Sequence, residues 1–434
     1  MNRSTSSFLW VVLILIGLPA VAHAQGIVFP WAGPVNRSMG GAGTAAPTDA
    51  ITATYWNPAA MSDMRRSELA AAVELIFPEI ETASSVLGGA FSGSTEGNPG
   101  VTAMPYLGWV YKTRDPRLTV GFSLAPIGGA KTNYPSSATN PYFLPQPNTV
   151  GSVGGIGQLY TEAQFLQMAP SISYRLNERF SIGLAPTLVL GQVIADPYLF
   201  AAPDDADGTR LPRFASGRGS EFHYGGGFQF SAFYKLTPRW TWGASLRTRQ
   251  DMETFRATGT DELGLPRSDL TIELDVPLTL SVGTAWQERP DRLWAADFRF
   301  INNESTRGWG TSGFNPDGSL AGLGYRDAFA AMFGVQQHLN PHWTVRAGYT
   351  YSTNPLDDSN ATNAVAAPLY YQHVLSSGAT YRLTCNSSID LAYSYLFENE
   401  LSGPIVSPAG VDPSSNITTT LSAHAATLGF RVKY

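Results

Sequence analysis

Apolar and polar residues alternate with a period of two over long stretches of this chain. Across 427–434, Leu428, Phe430, Val432 and Tyr434 share one parity, and Thr427, Gly429, Arg431 and Lys433 share the other. Successive side chains on a strand point to opposite faces, so this stretch predicts a strand with one apolar, aromatic face and one polar or small face. The segments 343–351 and 389–397 read the same way. So does 270–280, where Leu270, Ile272, Leu274, Val276, Leu278 and Leu280 alternate with Thr271, Glu273, Asp275, Thr279 and others. Period two alone fits a membrane barrel with its apolar face outward or a sandwich with that face inward.

The connections add an asymmetry. Short polar turns with Pro or Asn, flanked by aromatic or apolar residues, recur at 111–117, 174–180, 234–240, 286–293, 338–343 and 381–386. Asn and Pro favour tight turns, and the flanking Tyr and Trp suit an interfacial aromatic girdle. Longer polar connections run over 131–162, 194–221, 254–268, 304–324, 354–369 and 401–420. With a first strand over about 67–77 and the terminal one, the turns imply about fourteen antiparallel strands, an even number as single-chain bacterial barrels have.

Composition favours the barrel. Charged residues make up 14% of the chain, against the ~25% usual in soluble proteins. The mean hydropathy of −0.08 is what strands with one apolar and one polar face average to. Cys385 is the only cysteine, so no internal disulfide can form and a closed hydrogen-bonded sheet must supply the stability. The net charge of −6, with no basic cluster in sequence, leaves no footprint for nucleic acid.

The N-terminal region reads differently. Residues 8–18 form an apolar run after Arg3, followed by Pro19 and the small-residue pattern Ala22-His23-Ala24. This is the layout of a secretory signal peptide, so 1–24 is expected to be cleaved on export. Residues 25–64 are rich in Gly and Ala and precede the first strand, and are expected to fold into the lumen as a plug. Residues 65–434 are expected to form the transmembrane barrel in the outer membrane of a Gram-negative bacterium, in contact with its lipid and lipopolysaccharide.

The stretch Tyr55-Trp56-Asn57-Pro58-Ala59-Ala60-Met61-Ser62 resembles the Asn-Pro-Ala hatch of the FadL-type transporters of long-chain fatty acids and other hydrophobic compounds. Further along, 118–129 is similar to that family's third strand, 169–183 to its next hairpin, and 343–351 followed by Pro355 to its eleventh strand. The resemblance implies a monomeric fourteen-stranded barrel with an N-terminal hatch. It implies passive uptake of long-chain fatty acids or aromatic hydrocarbons, with release sideways into the bilayer beside a kinked third strand. It assigns gating to Asn57, Pro58 and Ala59, and the kink to Pro126, Gly128 and Gly129. Proline cannot donate to a ladder and glycine often marks a bulge, which agrees with such a kink.

Tyr142, Phe143, Leu144 and Phe165, in and beside the long 131–162 connection, are candidate ligand contacts, either lining an entry groove or packing that loop on itself. Arg346 shares the predicted lumen face with Arg247, Arg249, Arg299, Asp297, Glu273 and Asp390. It can hold a carboxylate or join an internal salt-bridge network. The run Asp204–Gly208 lacks the spacing of a calcium loop, and no zinc motif, phosphate loop or nucleophile elbow is present, so neither metal, cofactor nor catalytic residue is expected. A polar-solute porin and, further off, a barrel lipid hydrolase remain as alternatives.

Overall fold

The computed structural model describes residues 26–147 and 154–434. The expected signal peptide, with its cleavage point at Ala24, lies outside the described residues. Among these, fourteen long strands close into an antiparallel barrel. They are β1 (Glu68–Val86), β2 (Thr102–Lys112), β3 (Leu118–Tyr134), β4 (Leu159–Arg175), β5 (Phe180–Asp196), β6 (His223–Thr237) and β7 (Trp240–Arg247). The second half holds β8 (Leu278–Arg289), β9 (Arg292–Asn302), β10 (Ala328–His338), β11 (Trp343–Ser352), β12 (His373–Arg382), β13 (Ser387–Ser407) and β14 (Gly410–Lys433). Each pairs with its chain neighbours, and β14 closes on β1 from Glu68↔Lys433 to Ser85↔Asn416.

Closure removes the unpaired edge that an open sheet would carry into lipid. The period-two pattern sets which face is out. On β1, Leu69, Val73, Leu75 and Phe77 are exposed outward, while Ala70, Ala72 and Glu74 are buried inside. On β14, Leu428 and Phe430 point out and Thr427 and Arg431 in. The six short turns fall at one end, the periplasmic end of an outer-membrane barrel. There Trp343 and Tyr381 lie 4.9 Å apart, and Trp109 Nε1 donates to the Tyr434 hydroxyl at 2.6 Å, forming an aromatic belt.

Two strand expectations need correction. Only 278–280 of the alternating run 270–280 belongs to a barrel strand. All four apolar residues of 270–276 are buried instead of facing lipid: Ile272, Leu274 and Val276 share a core with Trp309 and Leu320 of the 304–324 loop, and Leu270 packs with Tyr198, Ala215 and Ala257. Trp309 Nε1 donates to Asp275 O at 2.7 Å, and Arg307 Nη2 meets Asp275 Oδ1 at 2.8 Å. Alternation reports that one face is apolar; it does not say whether lipid or protein covers it. The connection 401–420 is not a polar loop either. It is a hairpin in which β13 and β14 pair as far as Ser407↔Gly410, rising above the apolar band.

Residues 27–62 occupy the interior. They include α1 (Gly33–Ser38), α2 (Ala50–Trp56) and a 3-10 turn at Pro58–Asp63. Nearly every residue there is buried, and Ile51, Tyr55, Trp56 and Met61 join one apolar core with wall residues. Helices this short have no stability of their own in water. Asp49 caps α2, its carboxylate accepting from Thr52 N at 2.9 Å, and the enclosing wall does the rest.

Candidate functional site

Two features meet at one side of the barrel: a break in the wall and an apolar cavity behind it. Pairing of β2 with β3 stops at Leu107↔Leu124. Beyond that point, 102–106 pair only with β1. The gap is closed above where Asn98 N donates to Asn133 O at 2.7 Å and Asn133 Nδ2 to Asn98 O at 2.9 Å. The window lies between 102–106 and 125–132.

The local sequence explains the break. On β3, Pro126 pairs with Leu166 and Gly128 with Phe165, leaving Ile127 as an extra, bulged residue. A bulge bends its strand and raises the local twist, here away from β2. Pro105 and Pro126 fall on the two strands that flank the window, where a missing N–H costs no ladder bond. The interior segment serves the bulge: Phe29 N donates to Ile127 O at 3.2 Å and Val28 bridges Gly128. Glycine is needed at 128, because a Cβ there would stand 2.6 Å from Ile27 O.

A cavity of about 380 Å³ runs from the interior to this window. Trp31, Met104, Phe165, Tyr371 and Leu421, all buried, line its inner part, and the more exposed Leu166 and Phe222 line its outer part. Its one charged pair is Lys131 with Glu162, 3.7 Å apart at the rim. At the inner end Trp31 Nε1 donates to Glu74 Oε1 at 3.1 Å, and the Arg37 guanidinium lies 3.7 Å over the Trp31 ring. Arg37 pairs with Glu74 at 2.7 Å, both fully buried, so these charges are satisfied by each other and leave the cavity wall apolar. The arrangement suits an uncharged hydrophobic body, worth ~0.8 kcal/mol for each CH₂ buried.

The interior segment is tied to the wall on the far side. Asn57 ends α2, and its Nδ2 donates to Thr44 O at 2.7 Å and to Ala232 O of β6 at 3.0 Å. Pro58 carries the chain into the 3-10 turn. Ala59 N donates to Ser231 Oγ at 2.9 Å, and Ser173 Oγ to Ala59 O at 2.9 Å. A second tie is Asp297 on β9, whose Oδ2 accepts from Gly43 N (2.9 Å), Thr44 N (2.9 Å) and Thr44 Oγ1 (2.7 Å). Arg299 beside it donates to Pro30 O and Gly41 O. Close approach depends on small wall residues: a Cβ at Gly243 would stand 2.1 Å from Thr44 O. Gly243→Val is therefore expected to prevent seating of the segment, with a severalfold loss of folded protein in membrane fractions.

The candidate residues separate into groups. Pro126, Gly128, Gly129 and Phe165 gather at the window. Asn57, Pro58 and Ala59 anchor the interior segment. Tyr142 and Phe143 pack their loop against the barrel. They are buried, Phe143 stacks on Tyr134 at 4.8 Å, and Tyr142 N donates to Ser84 Oγ at 3.0 Å, holding the loop on β1. Leu144 accepts from Gly157 N at 2.8 Å within the same loop. Arg346 is on the lumen face but in a different, periplasmic cavity. Arg249 and Glu273, expected in the lumen, are exposed near the loops. Trp31, Arg37, Glu74, Met104 and Tyr371 were not singled out by sequence; a large aromatic, Trp31, among the small residues of the interior segment was the available sign.

The chain's relatives agree with this fold. Residues 20–434 match the family described as outer membrane protein transport protein (OMPP1/FadL/TodX). A long-chain fatty acid transport protein of Escherichia coli O6:H1 is 25% identical over 311 residues, 63% of this chain and 68% of that protein. Its counterpart in strain K12 is 23% identical over 290 residues, 57% of this chain and 62% of that protein. A Pseudomonas aeruginosa FadL homologue superposes with a TM-score of 0.70 at 18% identity, over 94% of this chain and 99% of its own. The Ralstonia pickettii toluene transporter TbuX gives 0.66 at 20% identity, over 93% and 99%, and these structural matches show the same fold. The chain is a member of the OMPP1/FadL/TodX family of outer-membrane transport proteins.

Proposed function

We propose that this protein is a passive outer-membrane channel for hydrophobic small molecules, long-chain fatty acids or aromatic hydrocarbons, and that it catalyses no reaction. The observation that carries this reading is the apolar cavity joined to a break in the barrel wall. A ligand in that cavity leaves sideways into the hydrocarbon layer without crossing water. Residues 27–62 act as a hatch that blocks the lumen, and Asn57, Pro58 and Ala59 hold it in place. The ligand path then runs past Trp31 to the Pro126–Gly129 kink. The relatives named for fatty acid and toluene transport support the substrate class. On this reading the barrel works as a monomer bounded by outer-membrane lipid and lipopolysaccharide. An open porin for polar solutes is disfavoured by the filled interior.

The test is uptake of radiolabelled long-chain fatty acid and of toluene by cells lacking the protein, complemented with the native chain or with Asn57→Ala at equal membrane abundance. Uptake is expected to require the protein and to change severalfold in the variant. The substitution removes two hydrogen bonds, each worth about 0.5–1.5 kcal/mol. Uptake independent of the protein would remove the reading.

A further inference from the structure

A second cavity, of about 570 Å³, opens at the periplasmic end beneath the hatch. Unlike the first, its lining is polar and cationic. Arg65, Arg239, Arg346, Arg382 and Lys433 all face it, with Arg431 at its inner wall. Its carboxylates are already engaged. Glu68 accepts from Ala50 N at 2.7 Å and lies 3.6 Å from Lys433. Asp63 pairs with Lys235. Just behind the wall, Asp390 takes Arg431 Nη2 at 2.8 Å.

Arg346 stands out among the cations. It is more than nine-tenths buried, yet no carboxylate among the described residues reaches it within salt-bridge distance. Its Nε donates to Gln336 Oε1 and its Nη1 to Thr380 Oγ1, both at 2.7 Å. Those neutral partners fix the guanidinium plane and leave Nη2 for the cavity. Asp390 is one hydroxyl away, accepting from Thr380 Oγ1 at 2.5 Å, but its direct partner is Arg431, so Arg346 has no carboxylate of its own. A buried charge paired only through a bridge is costly, and a concave basic mouth concentrates anions from solution.

We propose that this vestibule is a second ligand site, one that binds a carboxylate or phosphate oxyanion at Arg346, with Arg382 and Lys433 attracting it to the mouth. The planar guanidinium suits an oxyanion, and the bond is charge-assisted. The inference does not depend on the transport reading, because the two cavities lie on opposite sides of the hatch.

Cys385 supplies a built-in probe, since its exposed thiol lies on the rim. The full-length folded protein in neutral detergent is treated with an anionic or a cationic methanethiosulfonate, each rate normalised to free cysteine. The anionic reagent is expected to be favoured about tenfold, and inorganic phosphate to slow it selectively. Arg346→Gln is expected to abolish the phosphate effect, and Arg346→Lys to keep part of it. Arg382→Gln, an exposed side chain at the last position of β12, is expected to leave folding intact and to reduce the anionic preference severalfold. Phosphatidylglycerol micelles run in parallel. Protection by phosphate assigns a soluble oxyanion and protection by the micelles alone a lipid headgroup, and either upholds the site. Equal rates for the two reagents, or a phosphate effect that survives Arg346→Gln, overturn it.

Discussion

Deleting Ile127 is expected to lower uptake of hydrophobic compounds at least about tenfold, an effect that ~1.4 kcal/mol on the limiting step produces, while the barrel still assembles. Ile127 is the one residue of β3 that β4 leaves out between Pro126↔Leu166 and Gly128↔Phe165. Without it the register becomes continuous, the bend relaxes, and the upper part of β3 can lie along 102–106 of β2. The deletion also removes the carbonyl that accepts from Phe29 N. The window closes, but the cavity behind it stays apolar. Uptake by intact cells, read beside membrane abundance and circular dichroism, checks this. Undiminished uptake with native abundance would show that the wall break is not the exit.

Asp297→Ala is expected to loosen the hatch and open the lumen. The substitution takes the acceptor from Gly43 N, Thr44 N and Thr44 Oγ1 together. It also removes the carboxylate 3.2 Å from Arg299, which is fully buried. Leaving one member of a buried pair uncompensated costs about 3–5 kcal/mol, a large part of what holds a segment whose short helices have no stability of their own. Ion conductance in planar bilayers should rise well above the native level, and Tm should fall by several degrees. Asp297→Asn, which still accepts, should lie between. Native conductance and Tm in Asp297→Ala would place the closure elsewhere.

Most barrel strands were legible because lipid imposes a strict outward parity, as on β11 and β14. The run 270–276 carries the same parity for another reason, the loops that cover it, and sequence does not separate the two coverings. The break in β3 was legible from Pro126, Gly128 and Gly129, because proline and glycine act through the backbone. Its partner was not, since the bridge from Val28 to Gly128 joins residues far apart in the chain. Tyr142 and Phe143 showed only that an aromatic cluster existed; whether it faces a ligand or Tyr134 depends on packing. Arg346 was placed on the correct face, but parity says nothing of height along the barrel, and height decides which cavity it enters. Asp297 and Arg299 read as one more internal ion pair, because the backbone N–H groups that Asp297 accepts from and the carbonyls that Arg299 donates to carry no sequence signature.

The most direct measurement is photolabelling of the protein in outer-membrane vesicles with a diazirine-bearing fatty acid, mapped by mass spectrometry with and without excess unlabelled fatty acid or toluene. The account predicts adducts at Trp31, Met104 and Phe165 that the competitor displaces, and outward-facing adducts, such as those at Leu428, that it does not. Displaceable adducts confined to the centre of the lumen near Asn57, or none at the window, would contradict lateral passage through the wall.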